Sequence, residues 1–341
     1  MNVLFSQFVI DGVPRELTPA QLLGDYETSS NREQIVDETV DSAPGLLDVD
    51  PSKVEEYASK VNSGAALRFP TAFSEEITRS RIALALIDSI WREGNVRLED
   101  LPVTLKWFSN QGRIGNMAAL YSSVEAAVNY IDDLGLVIRR HSFSEGDPDF
   151  RIATPFSGAP LLLPQVIVPD PSSWIVYIPF DTSDYRLGGS LLAQQLGMGG
   201  GCAPKIADPD YFMDCFELVR ELVEDGVAVS GVTVGEGGMT AALQKMTGGA
   251  VGISADVSDI LRANDEKNLV RVLFAEVPGV LVQIRNLDFD YIDAECLLQD
   301  IAFFPLGHPL PDSDELVLKS SRKTGIQNIL ESLMQNAEGE D

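Results

Sequence analysis

Apolar residues recur at helical spacing in two long stretches of the chain. In SEEITRSRIALALIDSIW, residues 74–91, Ile82, Leu86 and Ile90 fall on one face, Ser74 stands where an N-cap belongs, and acids fill the first turn. In NMAALYSSVEAAVNYIDDLG, residues 116–135, Leu120, Val124, Ala127, Val128, Ile131 and Leu134 share a stripe that Gly135 ends. LPVTLKWFS (101–109) between them reads as a strand, and LVIRRHSFS (136–144) and APLLLPQVIV (159–168) are strand candidates after them.

A second unit opens with the β-rich run SSWIVYIPF, Ser172 to Phe180. A polar turn with Gly188 and Gly189 leads to a helix start at Ser190. DPDYFMDCFELVRELVEDG then forms an amphipathic helix carrying Phe212, Phe216, Val219, Leu222 and Val223, closed by Gly226. SGVTVGEGGMTAALQKM (230–246) reads as strand, glycine turn and helix. AVGISADV and LVRVLFAEVPGVLVQIR follow as strands, AECLLQDIAFFPLGHPL as a short helix, and DELVLKS as a last strand. This alternation predicts α+β or α/β layers, with helices packed on a sheet and no solenoid repeat.

Residues 1–65 differ from the rest: they are acidic, poor in aromatics and periodic only around Val54 to Val61. They read as an acidic, partly ordered extension with one short helix, a solvated arm. The expected division is the extension at 1–65, a first lobe at 66–168, a second lobe at 169–320, and a C-terminal helix and acidic tail at 321–341.

Charge narrows the function classes. The chain has 25 Lys and Arg against 52 Asp and Glu, a formal charge of −27. That balance argues against nucleic acid, whose phosphates call for clustered cations, and against anionic membrane surfaces. The start carries no basic n-region and no small-residue cleavage site, so no leader is expected. Cys202, Cys215 and Cys296 are widely spaced and read as reduced, cytosolic thiols. The two histidines, His141 and His308, have no zinc spacing and give little basis for a histidine-dependent nucleophile.

Four segments carry a resemblance: YIPFDTSDYRLGGSLLAQQLG, APKIADPDYFMDCFELVRELVEDGVAVSG, GGMTAALQKM and VRVLFAEVPGVLVQIR. In that order and near that spacing they resemble the aminoimidazole ribonucleotide synthase-like superfamily. The nearest likeness is to the second synthase-like half of phosphoribosylformylglycinamidine synthase, an ATP-dependent ligase of purine synthesis. The likeness covers about residues 70–320 and is stronger in the second unit. It implies an α+β, two-lobe fold. The first lobe would carry a small sheet that pairs with another such lobe into a barrel, and the second would carry helices on a mixed sheet. ATP or ADP with Mg²⁺ is the ligand the resemblance admits, held between lobes by carboxylates and amides.

The chemical positions depart from that pattern. Where the family turn reads His-Asp-x-Ser-x-Gly-Gly, this chain has Val232, Thr233, Gly235, Glu236, Gly237 and Gly238. An isopropyl group and a hydroxyl replace a proton carrier and a metal-binding acid. Lys106 stands where the family has Asn or Asp. In RRHSFSEGDPD the family's Gly-Lys is missing and His141 replaces an acid or amide, leaving Arg140 as a candidate anion contact. No catalytic residue is assigned. The candidate phosphate or nucleotide contacts are Lys106, Arg140, Gly188, Gly189, Ser190, Gly237 and Gly238, and the candidate metal ligands are Glu236 and Glu276. The resulting expectation is a non-catalytic scaffold or assembly subunit, acting as a homodimer or with a homologous synthase-like half. An active subunit of a split synthase and a nucleotide-binding regulator are the alternatives.

Overall fold

In the computed structural model, residues 3–25, 35–40, 49–61, 68–198 and 201–320 are described, and the helix and tail expected at 321–341 lie outside them. The N-terminal segment corrects the solvated-arm expectation. Strand β1 (Gln7–Ile10) pairs antiparallel with β2 (Val13–Pro14) and parallel with β3 (Ile35–Glu38). The β1–β2 link is Asp11-Gly12, both at positive φ, a two-residue hairpin turn that this dipeptide favours. Phe8 and Ile10 are buried in the main core, and the Phe8 ring lies 5.3 Å from that of Tyr121. Burying alternate apolar residues overcomes the segment's acidic composition. Helices α1 (Pro19–Leu22), with a Thr18/Gln21 capping box, and α2 (Val54–Val61) complete it.

The two long periodic stretches form α3 (Ser74–Glu93) and α4 (Asn116–Asp133). Ser74 is the first helical residue rather than the cap, because a single tight turn at Thr71–Phe73 runs straight into the helix. Gly135, at φ 67°, ends α4 as the pattern requires. Gly115 offers no side chain to cap α4, and the Glu38 carboxylate accepts from its N–H at 2.7 Å instead. Strands β4 (Pro102–Ser109), β5 (Val137–Glu145) and β6 (Asp149–Ala153) form a sheet in the order β5-β4-β6. Along β4 every second residue is buried: Val103, Leu105 and Trp107 face inward, so Thr104, Lys106 and Phe108 face outward.

APLLLPQVIV is not a strand. Pro160, Pro164 and Pro169 lack the N–H a ladder needs, and the available donors go elsewhere. Leu162 N–H bonds to Trp91 O at the end of α3, and Ile167 N–H to Met246 O.

The second unit contains β7 (Trp174–Pro179), α5 (Leu191–Gln195), α6 (Pro209–Glu224), β8 (Ala228–Val234), α7 (Gly238–Thr247), β9 (Gly252–Asp256), α8 (Ser258–Ala263), α9 (Leu269–Phe274), β10 (Gly279–Ile284), α10 (Phe289–Leu298), β11 (Phe304–Leu310) and β12 (Leu316–Lys319). The six-stranded sheet runs β12-β9-β11-β7-β10-β8, antiparallel except for the β12–β9 pair. The first half of LVRVLFAEVPGVLVQIR, expected as strand, is α9. Asn268 turns the chain by accepting from Val270 N–H at 3.0 Å.

The sheet is apolar on both faces. Val176, Ile178, Val280 and Val282 join one core with α3, α4 and α6, while Ile175, Tyr177, Val232 and Leu281 join another with α7 and α9. Because α3 touches β8, β10 and α6 as well as α4, the first unit and one face of the second share a single core.

Candidate functional site

The glycine-rich turns of the second unit converge on Glu276. After β7 the chain passes through Gly188 and Gly189 to Ser190, whose Oγ accepts from Ala193 N–H at 3.2 Å and donates to Leu187 O at 2.7 Å. After β8 it passes through Gly235–Gly238 into α7. Between α9 and β10, Glu276 points into the gap, and its Oε1 accepts from Leu191 N–H at 2.7 Å and Gly237 N–H at 2.9 Å. Free N–H groups at helix starts attract an anion. Here that anion is the chain's own carboxylate.

The neighbouring amides are spent as well. Gly188 N–H bonds to Cys202 O, Ser190 N–H to Leu187 O, and Gly238 N–H to Gly235 O. The glycines serve close packing. Gly238 sits at φ 68°, and a Cβ there would lie 2.6 Å from Leu273 O. The turns are covered from outside: Val61 of α2 lies 2.9 Å from the Cβ position of Gly237, and Phe73 and Pro70 lie 3.1 and 3.2 Å from that of Gly189.

The space left is small. A cleft lined by Arg68, Arg81, Gly189, Gln194, Glu236 and Glu276 encloses about 30 Å³. That is room for about one water, whereas ligand pockets run to roughly 300–1,000 Å³. Arg81 is already engaged, donating to Asp149 Oδ1 and Phe150 O at 2.5 Å each. Burial pushes the Glu276 carboxyl up to about 7; the Glu236 carboxylate adds to this, and the two amides and Arg81 oppose it. Glu236 is exposed, and no cluster of three or more His, Cys, Asp or Glu among the described residues suits a metal. These residues do not fit a Mg²⁺-nucleotide.

The two altered turn residues point away from each other, as neighbours on a strand must. Val232 is fully buried in the core under α7. On the opposite face, Thr233 Oγ1 accepts from the Trp91 indole N–H at 2.8 Å. Lys106 and Arg140 lie apart from the glycine turns. Both are on the outer face of the β5-β4-β6 sheet, with Arg140 opposite Thr104 and the Lys106 ammonium 4.5 Å over the Phe108 ring. The structure therefore brings Gly188, Gly189, Ser190, Glu236, Gly237, Gly238 and Glu276 together and leaves Lys106 and Arg140 outside. A larger cleft of about 520 Å³, lined by Asp184, Arg186, Glu266, Lys267 and Arg271 among others, carries its own ion pairs, Arg186–Asp184 and Arg271–Glu266.

Val61, Arg81 and Trp91 shape the site without having been singled out in the sequence. Trp91 ends an ordinary apolar stripe, and Arg81 lies on the polar side of the same helix, so neither position carried a signal.

No protein-family model matches the chain. It is 25% identical over 227 residues to human (Homo sapiens) phosphoribosylformylglycinamidine synthase, which covers 62% of this chain and 17% of that protein. The chain thus spans about a sixth of the length of that relative. Solved structures that share its fold include two from one bacterium. PurLQS from Thermotoga maritima is 14% identical at a TM-score of 0.50, covering 71% of this chain and 39% of that one. T. maritima PurL complexed with AMPPCP is 12% identical, also at 0.50, covering 76% and 44%. Sequence likeness and fold together relate this chain to the aminoimidazole ribonucleotide synthase-like superfamily, as a two-lobe α+β relative of the phosphoribosylformylglycinamidine synthases.

Proposed function

We propose that the chain is a non-catalytic, synthase-like scaffold or assembly subunit that acts with a homologous synthase-like half or with a second copy. One observation carries this reading: Glu276 takes an amide at the helix end of each glycine turn, Leu191 N–H at 2.7 Å and Gly237 N–H at 2.9 Å. Free amides at helix starts are suited to phosphate, and phosphoryl transfer depends on such positioning and charge neutralisation. Here the Glu276 carboxyl already occupies both donors. Val232 supplies no proton, and Thr233 is held by Trp91. What the scaffold retains is the architecture that presents its lobes to a partner.

Calorimetry and thermal-shift measurements with Mg²⁺-ATP and Mg²⁺-ADP test the reading. A ligand that binds only the folded state would raise stability by about 2.7 kcal/mol at a hundredfold excess over Kd. The expected result is no heat and no shift. Saturable binding, or ATP hydrolysis by the purified chain, overturns the proposal. Co-expression with a first synthase half addresses the split-enzyme alternative: turnover that needs this chain and disappears in Glu276→Gln, which keeps the acceptor for both amides, would establish an active subunit.

A further inference from the structure

Helix α10 is apolar on two sides. Its inner side packs: Ile292 and Cys296 are buried, and the Phe289 ring stands 4.7 Å from Trp174 and 5.7 Å from Phe303. Its outer side repeats the pattern. Leu287, in the single turn leading into the helix, is 78% exposed, Tyr291 58% and Leu298 79%, with Leu297 beside them at 81%. Leu287, Tyr291, Ala294 and Leu298 follow at steps of four, three and four residues, which puts them on one stripe. A helix buries its apolar stripe against a neighbour, and α10 carries a second stripe on the side away from the core. Scattered exposed leucines need no explanation, but an ordered stripe with a charged border does.

The border is acidic. Asp290, Asp293 and Asp300 are exposed around the stripe, and Glu295 is half-buried beside it. Arg285, the cation at its start, is held by Asp288 and by Gly226 O. A second copy would set carboxylates against carboxylates, and a negative bilayer would be repelled in the same way. We infer that the outer face of α10 docks a different protein, through an apolar strip bordered by Lys and Arg. The stripe supplies anchors at helical spacing, as in helix-in-groove recognition, and the acidic border selects the partner's charge. The inference is independent of whether the glycine turns bind nucleotide.

The test uses the full chain and a fluorescent 18-residue peptide of Leu and Lys in amphipathic helical order, against the same residues scrambled. Anisotropy at physiological salt gives the affinities. Wild-type protein is expected to prefer the periodic peptide at least tenfold, and L287S/Y291S/L298S to lose that preference with an unchanged melting temperature. D290N/D293N/E295Q is expected to weaken binding and flatten its salt dependence. Equal affinity for both peptides, or a triple Ser variant that binds like wild type, overturns the inference. So does a wild-type dimer, seen by sedimentation, that the triple Ser variant dissolves, because the occupant is then a second copy. A chain ending at Lys319 that binds the periodic peptide tenfold tighter than the full chain also overturns it, since residues 320–341 would be the occupant.

Discussion

Glu276 shows how one side chain can stand in for a ligand. Its carboxyl is raised from the ordinary 4.5 to about 7, first by burial and then by Glu236, against the pull of the two amides. A raised carboxyl favours the protonated folded state. Its stabilising effect is therefore complete below about pH 4.5 and is lost as pH climbs through 7, a difference on the order of 3 kcal/mol. Glu276→Gln keeps the carbonyl acceptor and removes the titration. Measured by chemical denaturation, this variant should gain on wild type by up to that amount between pH 5 and 8. Glu276→Ala strips the acceptor from Leu191 and Gly237 and should cost about 1–3 kcal/mol per amide relative to Glu276→Gln at every pH. A constant gap between wild type and Glu276→Gln across that range would remove the buried-carboxyl account.

At the scale of elements, periodicity carried the reading wherever one face of a segment is buried. The faces of α3, α4 and α6 were legible because Ile82, Val124 and Phe216 recur at helical spacing and all are buried. LVRVLF misled for the opposite reason: Val270, Val272, Leu273 and Phe274 are all buried, and a short run buried all round has no period to read. What makes it helical is Asn268 at its start. Asn268→Ala should therefore destabilise the protein by about 0.5–2 kcal/mol through the lost cap, and Asn268→Asp should restore the cap but not the bond that Asn268 Nδ2 donates to Val49 O at 2.9 Å. An unaffected melting curve for Asn268→Ala would mean that packing alone holds α9. The same logic divides the site. The glycines that persist could be read from the sequence. Glu276 was legible as a candidate metal ligand, but its hold on their amides was not, because it joins positions 191, 237 and 276, and only the fold places them together.

The whole molecule combines a shared core with a large like-sign charge, and the two make opposite demands. At −27 the chain repels itself, while several of its cations are drawn into local pairs, as where Glu217, Glu221 and Glu224 surround Arg220. Exposed ion pairs are worth about 0–1 kcal/mol each, and salt weakens them; salt also screens the repulsion beyond about 10 Å at 0.1 M. The excess of 27 unbalanced acids decides the sign, so raising NaCl from 20 to 300 mM should raise the melting temperature by about 2–4 °C. Cohesion against that repulsion comes from α3, which packs on α4 on one side and on β8, β10 and α6 on the other. Leu86 lies fully buried in this shared core, and Leu86→Ala should cost about 2–5 kcal/mol. Because the helix belongs to both units, the loss should appear in both at once. Trp107 on β4 in the first-unit sheet and Trp174 at the start of β7 in the second report on the two sides, and in single-tryptophan variants their unfolding midpoints should shift together. Midpoints that separate, with only the Trp107 side weakened, would show two independently folding lobes rather than one body joined through α3.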